Sequence, residues 1–118
     1  WNARMNDYLG ITPPNDAMGV LQDVHWSGGM IGYFATYALG NLVSVQLWEC
    51  IRKEIPDLDE QIERGDFSAL LGWLREKIHR HGAKFEPQDL VQRVTGSKID
   101  PQPYVRYLQT KFGGIYGL

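Results

Sequence analysis

The 118 residues suffice for one small domain, and 43% hydrophobic content with four Trp and six Tyr argues against a disordered chain. Twelve basic and fourteen acidic residues give a net charge of −2 without a block of like charge, which argues against a nucleic-acid partner. No apolar run approaches the roughly 20 residues that span a bilayer, and the single cysteine, Cys50, excludes an internal disulfide, so we expect a cytoplasmic protein without a membrane partner.

Helical segments separated by turn residues are predicted along the whole chain, and no segment alternates in the manner of a β-strand. Three helices are predicted in the first half of the chain: residues 1–9, ended by Gly10; residues 17–25, ended by the turn that starts at Ser27; and residues 33–55, ended by Pro56. Four more follow: a short helix from Asp57 to near Gly65, a helix from Asp66 that Gly82 ends, a helix from Pro87 that Gly96 ends, and a helix that starts at Asp100. The fold class is therefore predicted to be all-α. We expect one helical region over residues 1–118, with a flexible glycine-rich tail over 113–118.

Residues 33–55 form the longest predicted helix. Apolar side chains cover most of its circumference, at Tyr37, Leu39, Leu42, Val43, Val45, Leu47, Trp48, Ile51 and Ile55. Such coverage predicts a helix that is buried on several sides. Gly40 in its interior costs about 1 kcal/mol relative to Ala, so a neighbouring segment is expected to pack closely there.

Capping residues and one apolar stripe define the helices after Pro56. Asp57 and Glu60 have the spacing of a capping box, and Asp66 is placed to cap the next helix. On that helix apolar residues recur at helical spacing and are predicted to face the core, namely Phe67, Leu70, Leu71, Leu74 and Ile78.

A metal site within this chain would have to use its histidines and Cys50. His79 and His81 are two positions apart, so on a regular helix they point about 200° apart and cannot hold one ion together. The acidic residues between 57 and 63 suit helix starts and lack the spacing of a calcium loop. HExxH, paired CxxC and glycine-rich phosphate motifs are absent. We therefore expect no metal site built from these residues.

Residues 22–26 place an amide, a carboxylate, an imidazole and an indole within five positions. Polar groups crowded in this way are costly to bury without partners, so they indicate a functional site or a fully satisfied internal network. On a regular helix Gln22 and His25 would share a face and Asp23 would point elsewhere. Two interpretations of His25 stay open: a carboxylate fixes the tautomer of its imidazole, or it donates to a backbone carbonyl and stiffens the turn.

Residues 19–26, GVLQDVHW, match the pattern GxxQDxHW of the zinc carboxypeptidases of the thermostable carboxypeptidase Taq type. The flanking residues 1–16 and 32–42 also resemble that family, with Ala35 standing where the family is expected to have Pro. Residues 74–79 and the turn signals at Pro87 and Gly96 are similar to the family's C-terminal helices. The resemblance covers essentially the whole chain.

The resemblance implies a mostly helical, two-lobed peptidase that removes single residues from peptide C-termini with one divalent metal, zinc or cobalt. In that family HExxH and a downstream Glu hold the metal, and the Glu of HExxH acts as general base for a metal-bound water. These elements are absent here, as are the motifs HPF, DxRxT, HES/GQ and IRxxAD. The chain is therefore expected to be the C-terminal portion of such an enzyme, beginning after the metal site and inactive by itself. Its opening on Trp1 without Met agrees with that expectation.

By the same resemblance, this portion forms the far wall of the substrate groove. Its expected catalytic residues are His25 and Tyr33, and its expected substrate-binding residues are Gln22, Asp23, Trp26 and Tyr37. His25 would donate a hydrogen bond to the substrate carboxylate or to the developing oxyanion. Tyr33 or Tyr37 would supply a phenolic donor nearby, and Trp26 would pack the loop.

The expected partners are a peptide C-terminus and the remainder of the parent peptidase. Because the family often forms dimers, a homodimer is also an option. The alternative interpretation is a stand-alone helical interaction module without catalysis, whose aromatic helix over residues 33–55 docks a partner.

Overall fold

The computed structural model describes all 118 residues, and it contains helices and turns but no β-strand. Its α-helices are α1 (Asn2–Leu9), α2 (Val24–Ser27), α3 (Ala35–Glu54), α4 (Leu58–Glu63), α5 (Ser68–Lys77), α6 (Pro87–Thr95) and α7 (Gln102–Tyr116). The predicted all-α class is confirmed. None of the helices combines the length and the apolar character needed to cross a bilayer.

Contacts between residues group the chain into two compact units, Trp1–Tyr37 and Ala38–Leu118. These are called the N-terminal unit and the C-terminal unit below. The expectation of one helical region over residues 1–118 stays a prediction.

The N-terminal unit departs from the predicted helix over residues 17–25. Two short 3₁₀ turns, Asp16–Met18 and Val20–Gln22, precede the single turn of α2. The prediction was wrong because two residues leave helical geometry: Gly19 has φ −123° and ψ −115°, and Asp23 has φ −82° and ψ 105°. The Asp23 side chain accepts a hydrogen bond from the backbone N–H of His25, and this bond competes with a continuous helix.

Helix α3 begins at Ala35, two residues after the predicted start, and ends at Glu54 before Pro56 as predicted. Its predicted burial on several sides is wrong within this chain, because only Gln46 and Ile51 are buried. Leu39 is 47% exposed, and a Cβ at Gly40 would meet no atom within 4 Å. The apolar coverage of α3 therefore exceeds what these 118 residues bury.

The core of the C-terminal unit is a cluster of three buried side chains, Ile51, Leu58 and Trp73. Partly buried apolar residues surround it, namely Leu47, Trp48, Cys50, Ile55, Ile62, Leu70, Leu74, Ile78 and Val94. The predicted stripe on α5 is thus only partly correct.

Phe67 and Leu71 are exposed, and Trp73, which was outside the predicted stripe, is buried instead. Phe67 precedes the first residue of α5, so it does not share the phase of the helix. Trp73 also forms a hydrogen bond to α3 that fixes its direction.

The structure contains the side-chain hydrogen bond predicted at Asp66 but not the one predicted at Asp57. Asp66 Oδ1 accepts a hydrogen bond of 2.9 Å from the backbone N–H of Ser68, as predicted. Asp57 precedes α4 without a side-chain cap bond, so the predicted capping box with Glu60 is wrong. The backbone of Asp57, at φ −95° and ψ 21°, is not extended, and a capping residue normally is.

Helix α6 begins and ends as predicted, whereas α7 begins two residues after the predicted Asp100. Pro87 is the first residue of α6, and Gly96 ends it with φ 83°. Asp100 accepts a hydrogen bond from the N–H of Gln102 at the start of α7. This helix continues through the glycines to Tyr116, so residues 113–116 are helical where a loose conformation was expected. The flexibility of 113–118 stays a prediction.

One buried amide, that of Gln46 on α3, fixes the connection between α6 and α7. Its Nε2 lies 3.1 Å from Thr95 Oγ1, 2.8 Å from Ser97 Oγ and 3.0 Å from the carbonyl oxygen of Lys98, three acceptors that share its two hydrogens. Its Oε1 accepts from the N–H of Asp100 at 3.1 Å. Gln46 is only 4% exposed, and its amide is the hydrogen-bond partner of two backbone groups, the carbonyl of Lys98 and the N–H of Asp100.

Glu54 at the end of α3 connects that helix to α5. Its carboxylate accepts from Trp73 Nε1 at 3.0 Å and from Lys77 Nζ at 2.7 Å. The hydrogen bond from Lys77 holds the pKa of Glu54 below its ordinary value of 4.5, against the opposing effect of desolvation. Since the folded state lowers this pKa, the stabilisation is present above about pH 4.5 and is lost as the pH falls through the lower folded value.

Replacing Glu54 with Gln keeps the shape and removes the charge. We expect the difference in free energy of unfolding between wild type and Glu54→Gln to be largest near neutral pH and to shrink below about pH 4.5. The effect should be small, because both partners are partly exposed. Urea unfolding between pH 3 and pH 7 measures it, with the exposed Glu63→Gln as control. An equal difference at both ends of that range would contradict the prediction.

Candidate active site

The chain turns tightly at Gly19, the first residue of the GxxQDxHW pattern. A Cβ at this position would lie 3.1 Å from Pro13 Cγ and 3.2 Å from Trp1 Cζ3. Both distances are tighter than ordinary van der Waals contact, so a side chain here would push the loop away from α1. The glycine of the pattern thus sets the path by which the chain reaches Asp23.

Asp23 performs two tasks with one carboxylate oxygen. Its Oδ1 accepts a 2.7 Å hydrogen bond from the backbone N–H of His25, and so caps α2. The same oxygen lies 3.0 Å from His25 Nδ1. An ionised carboxylate only accepts, so Nδ1 carries the hydrogen and donates it. The expectation that Asp23 points away from His25 was wrong, because the segment is not a regular helix.

The contact with Asp23 bears on the two interpretations of His25 that the sequence left open. A carboxylate, and not a backbone carbonyl, receives Nδ1–H and orients the imidazole. On the other side of the ring, His25 Nε2 lies 2.9 Å from the hydroxyl of Tyr37. In neutral His25 this nitrogen is an acceptor, so the Tyr37 hydroxyl donates to it. Both ring nitrogens are therefore engaged within the chain.

Three aromatic rings surround the imidazole. Tyr33 stacks on it with centroids 5.1 Å apart and planes 18° apart, and Tyr37 meets it edge-on at 5.6 Å. Phe34 also lies 5.1 Å away, a neighbour that sequence reasoning missed although it lies between the two tyrosines. We call Asp23, His25, Tyr33, Phe34 and Tyr37 the His25 cluster.

Burial differs among the polar groups of the His25 cluster. The side chains of Asp23 and His25 are 8% and 17% exposed, whereas Tyr33 and Tyr37 are 44% and 53% exposed. The Tyr33 hydroxyl makes no hydrogen bond within the chain, so it is free to donate. Polar contacts shielded by rings are stronger than the same contacts in water.

The second oxygen of Asp23, Oδ2, is buried and accepts no hydrogen bond within the chain. Burying half of a carboxylate without a donor costs free energy. Proteins carry such local costs mainly at functional sites, where the arrangement serves chemistry rather than stability.

Gln22 and Trp26 make contacts outside the His25 cluster. The Gln22 side chain is exposed, and its Nε2 donates to the carbonyl of Ala17. Trp26 is 43% exposed and lines an apolar hollow of about 610 Å³ together with side chains of α1, namely Trp1, Arg4, Met5, Tyr8 and Leu9. The sequence thus identified four members of the cluster and two residues that lie beside it.

The residues of this chain do not form a metal site. No three His, Cys, Asp or Glu side chains lie close enough together to hold an ion. His79 and His81 lie in a short 3₁₀ turn after α5, far along the chain from His25.

A family model for "Carboxypeptidase Taq (M32) metallopeptidase" matches residues 1–112, which include the whole His25 cluster. The chain belongs to the Taq carboxypeptidase family. The resemblance carried by GxxQDxHW is therefore confirmed, and the helical fold agrees with it.

Relatives within the Taq carboxypeptidase family match nearly the full chain. It is 43% identical over 116 residues to Carboxypeptidase 1 of Bacillus subtilis, covering 98% of this chain and 23% of that protein. It is 42% identical over 117 residues to Thermostable carboxypeptidase 1 of Thermus thermophilus, covering 99% of this chain and 23% of that protein. A solved carboxypeptidase structure from Deinococcus radiodurans R1 superposes with a TM-score of 0.93 at 42% identity, over 100% of this chain and 24% of that one.

The chain thus spans about a quarter of the length of the relatives it matches. The structural match shows that these 118 residues adopt the family's conformation over that quarter.

Proposed function

We propose that this chain is the C-terminal part of a metal-dependent carboxypeptidase that releases single residues from peptide C-termini. The observation that carries the proposal is the match of 98% of the chain to a protein named as a carboxypeptidase, with Asp23 and His25 of the GxxQDxHW pattern held in the His25 cluster. In this proposal the His25 cluster forms one wall of the substrate groove. The metal, for which we propose zinc or cobalt, is held by residues outside this chain.

The chemistry assigned to these residues is binding and orientation. Tyr33, whose hydroxyl has no partner in the chain, donates to an anionic oxygen of the bound peptide. His25 acts with it at the reacting end, held by Asp23 and Tyr37. Preorganised donors of this kind stabilise developing negative charge because they need no reorientation during the reaction.

Gln22 and Trp26 have more conditional roles in substrate binding. Gln22 would have to release the carbonyl of Ala17 before its amide met a peptide. Trp26 offers an apolar surface in its hollow rather than a hydrogen bond to the His25 cluster.

The remainder of the parent peptidase is the second proposed partner. In the N-terminal unit, apolar side chains are widely exposed, among them Tyr8 at 72%, Leu21 at 67% and Ile31 at 85%. Exposed apolar surface of this extent favours cover by other parts of a larger protein. A stand-alone interaction module would also leave such surface open, but it does not account for relatives that are carboxypeptidases. A cytoplasmic location and a homodimer belong to the same proposal.

The test compares the full-length protein that contains this chain with the 118 residues alone. We expect the full-length protein to release single C-terminal residues from a peptide, to lose this activity with a chelator, and to regain it with zinc or cobalt. We expect no release by the 118 residues alone, because they contain no metal site. Mass spectrometry of the peptide detects each product.

Two outcomes would contradict the proposal. A full-length protein that lacks HExxH and releases nothing would refute the peptidase function. Metal-dependent release by the 118 residues alone would refute the placement of the metal ligands outside them.

A further inference from the structure

We infer that Asp23, His25 and Tyr37 form a proton-controlled switch, in which protonation of His25 turns the hydroxyl of Tyr37 from a donor to His25 into a donor to an anionic oxygen of the bound peptide. The inference rests on the proposed function. It makes Tyr37 a conditional donor and distinguishes it from Tyr33.

The neutral state follows from the direction of two hydrogen bonds. Asp23 Oδ1, 3.0 Å from Nδ1, requires the hydrogen of the neutral ring to be on Nδ1. Nε2 then has only a lone pair, and the Tyr37 hydroxyl 2.9 Å away must donate its proton to it. In this state the single proton of Tyr37 is engaged, and its oxygen offers only lone pairs to a ligand.

The protonated state reverses the second bond. When Nε2 takes a proton from solvent, the imidazolium has two N–H groups, and Nε2–H donates to the oxygen of Tyr37. The hydroxyl proton of Tyr37 must then rotate away from His25, and no covalent bond is broken. Tyr37 is 53% exposed, so this proton can point to the open side of the site.

The charged group that faces His25 is Asp23, whose side chain is 8% exposed and whose Oδ1 lies 3.0 Å from Nδ1. The other titratable groups in contact with the ring are Tyr33 and Tyr37, and Phe34 is the remaining neighbour. Tyr33 stacks on the face of the ring and does not bond to its nitrogens, so its hydroxyl donates whatever the charge on His25.

The experiment compares Tyr37→Phe with the matched variant Tyr33→Phe in the full-length protein. Both variants remove one hydroxyl and keep the ring. We expect the ratio of wild-type to Tyr37→Phe activity to be larger, by about tenfold or more, where His25 is protonated than where it is neutral. For Tyr33→Phe, we expect a loss that is the same at every pH.

A second measurement does not depend on turnover. Nitrogen-15 NMR of the labelled imidazole, assigned with His25→Gln, gives the tautomer and the titration of His25 in the same protein. We expect neutral His25 to carry its hydrogen on Nδ1, and its titration to coincide with the change in the Tyr37→Phe ratio. Loss of that tautomer preference in Asp23→Ala would support the role of Asp23 as a positioning residue.

Whether Tyr37→Phe changes kcat or KM identifies the anionic oxygen that accepts the proton. A Tyr37→Phe effect on kcat assigns the proton to the oxyanion, and an effect on KM that disappears with C-terminally amidated peptides assigns it to the terminal carboxylate. A ratio that does not vary with pH, or a neutral His25 protonated on Nε2, would overturn the switch. A wild-type protein without peptidase activity would refute the proposed function instead, and the tautomer would still be measurable.

Discussion

Replacing His25 with Ala in the full-length protein should lower kcat by about 100-fold or more. The substitution removes the ring that orients Tyr37 and leaves the buried carboxylate of Asp23 without its side-chain partner. Without the imidazole, Tyr33 loses the ring on which it stacks and Tyr37 loses its hydrogen-bond partner, so the proposed donors are no longer preorganised for the peptide. Turnover should therefore fall more than substrate affinity does.

Steady-state kinetics with a measured metal content test this expectation. The matched control is His79→Ala, which removes an exposed histidine outside the His25 cluster and should leave turnover unchanged. His25→Asn is informative as well, because its amide can donate to Asp23 but cannot reach Tyr37. Full activity in His25→Ala with normal metal content would refute any role of the cluster in the reaction.

Replacing Gln46 with Leu should destabilise the C-terminal unit by about 2–4 kcal/mol. Leu has a similar volume, so the change tests hydrogen bonding rather than packing. It leaves the carbonyl of Lys98 and the N–H of Asp100 without their partner, the amide of a side chain that is only 4% exposed. A buried polar group that loses its partner costs about 1–3 kcal/mol, and two backbone groups are affected here.

Urea unfolding of Gln46→Leu against Gln109→Leu separates this effect from the general effect of adding an apolar side chain. Gln109 lies on α7 and is exposed, so its replacement should change the free energy of unfolding by less than about 0.5 kcal/mol. Equal stability of the two Leu variants would contradict the role assigned to Gln46.

The helix ends were predictable because they depend on single residues. Gly10 and Gly96 adopt positive φ, which few other residues tolerate, and Pro87 fixes the backbone of a first helical turn. Asp23 shows the limit of such reasoning. Its side chain accepts a hydrogen bond from the backbone N–H of His25 and caps α2, so the predicted helix over 17–25 does not form.

Four of the five members of the His25 cluster were predictable, and their contacts with one another were not. The pattern GxxQDxHW identified Asp23 and His25. Which tyrosine bonds to His25 depends on the three-dimensional structure, in which Tyr37 contacts Nε2 and Tyr33 stacks on the face of the ring. The burial of α3 was mispredicted for a different reason. Its apolar pattern exceeds what these residues cover, as expected if other parts of a longer protein complete the packing.

Asp23 Oδ1 both caps α2 and orients the imidazole of His25. Selection for stability and selection for activity therefore place different requirements on this residue. Ser at position 23 would still accept from the N–H of His25 and begin α2, but its shorter side chain would leave Nδ1 unrestrained. We expect this replacement to change the melting temperature little and to lower turnover. If the His25 cluster acts as proposed, sequence variation at this residue distinguishes homologues that keep only the fold from homologues that keep the activity.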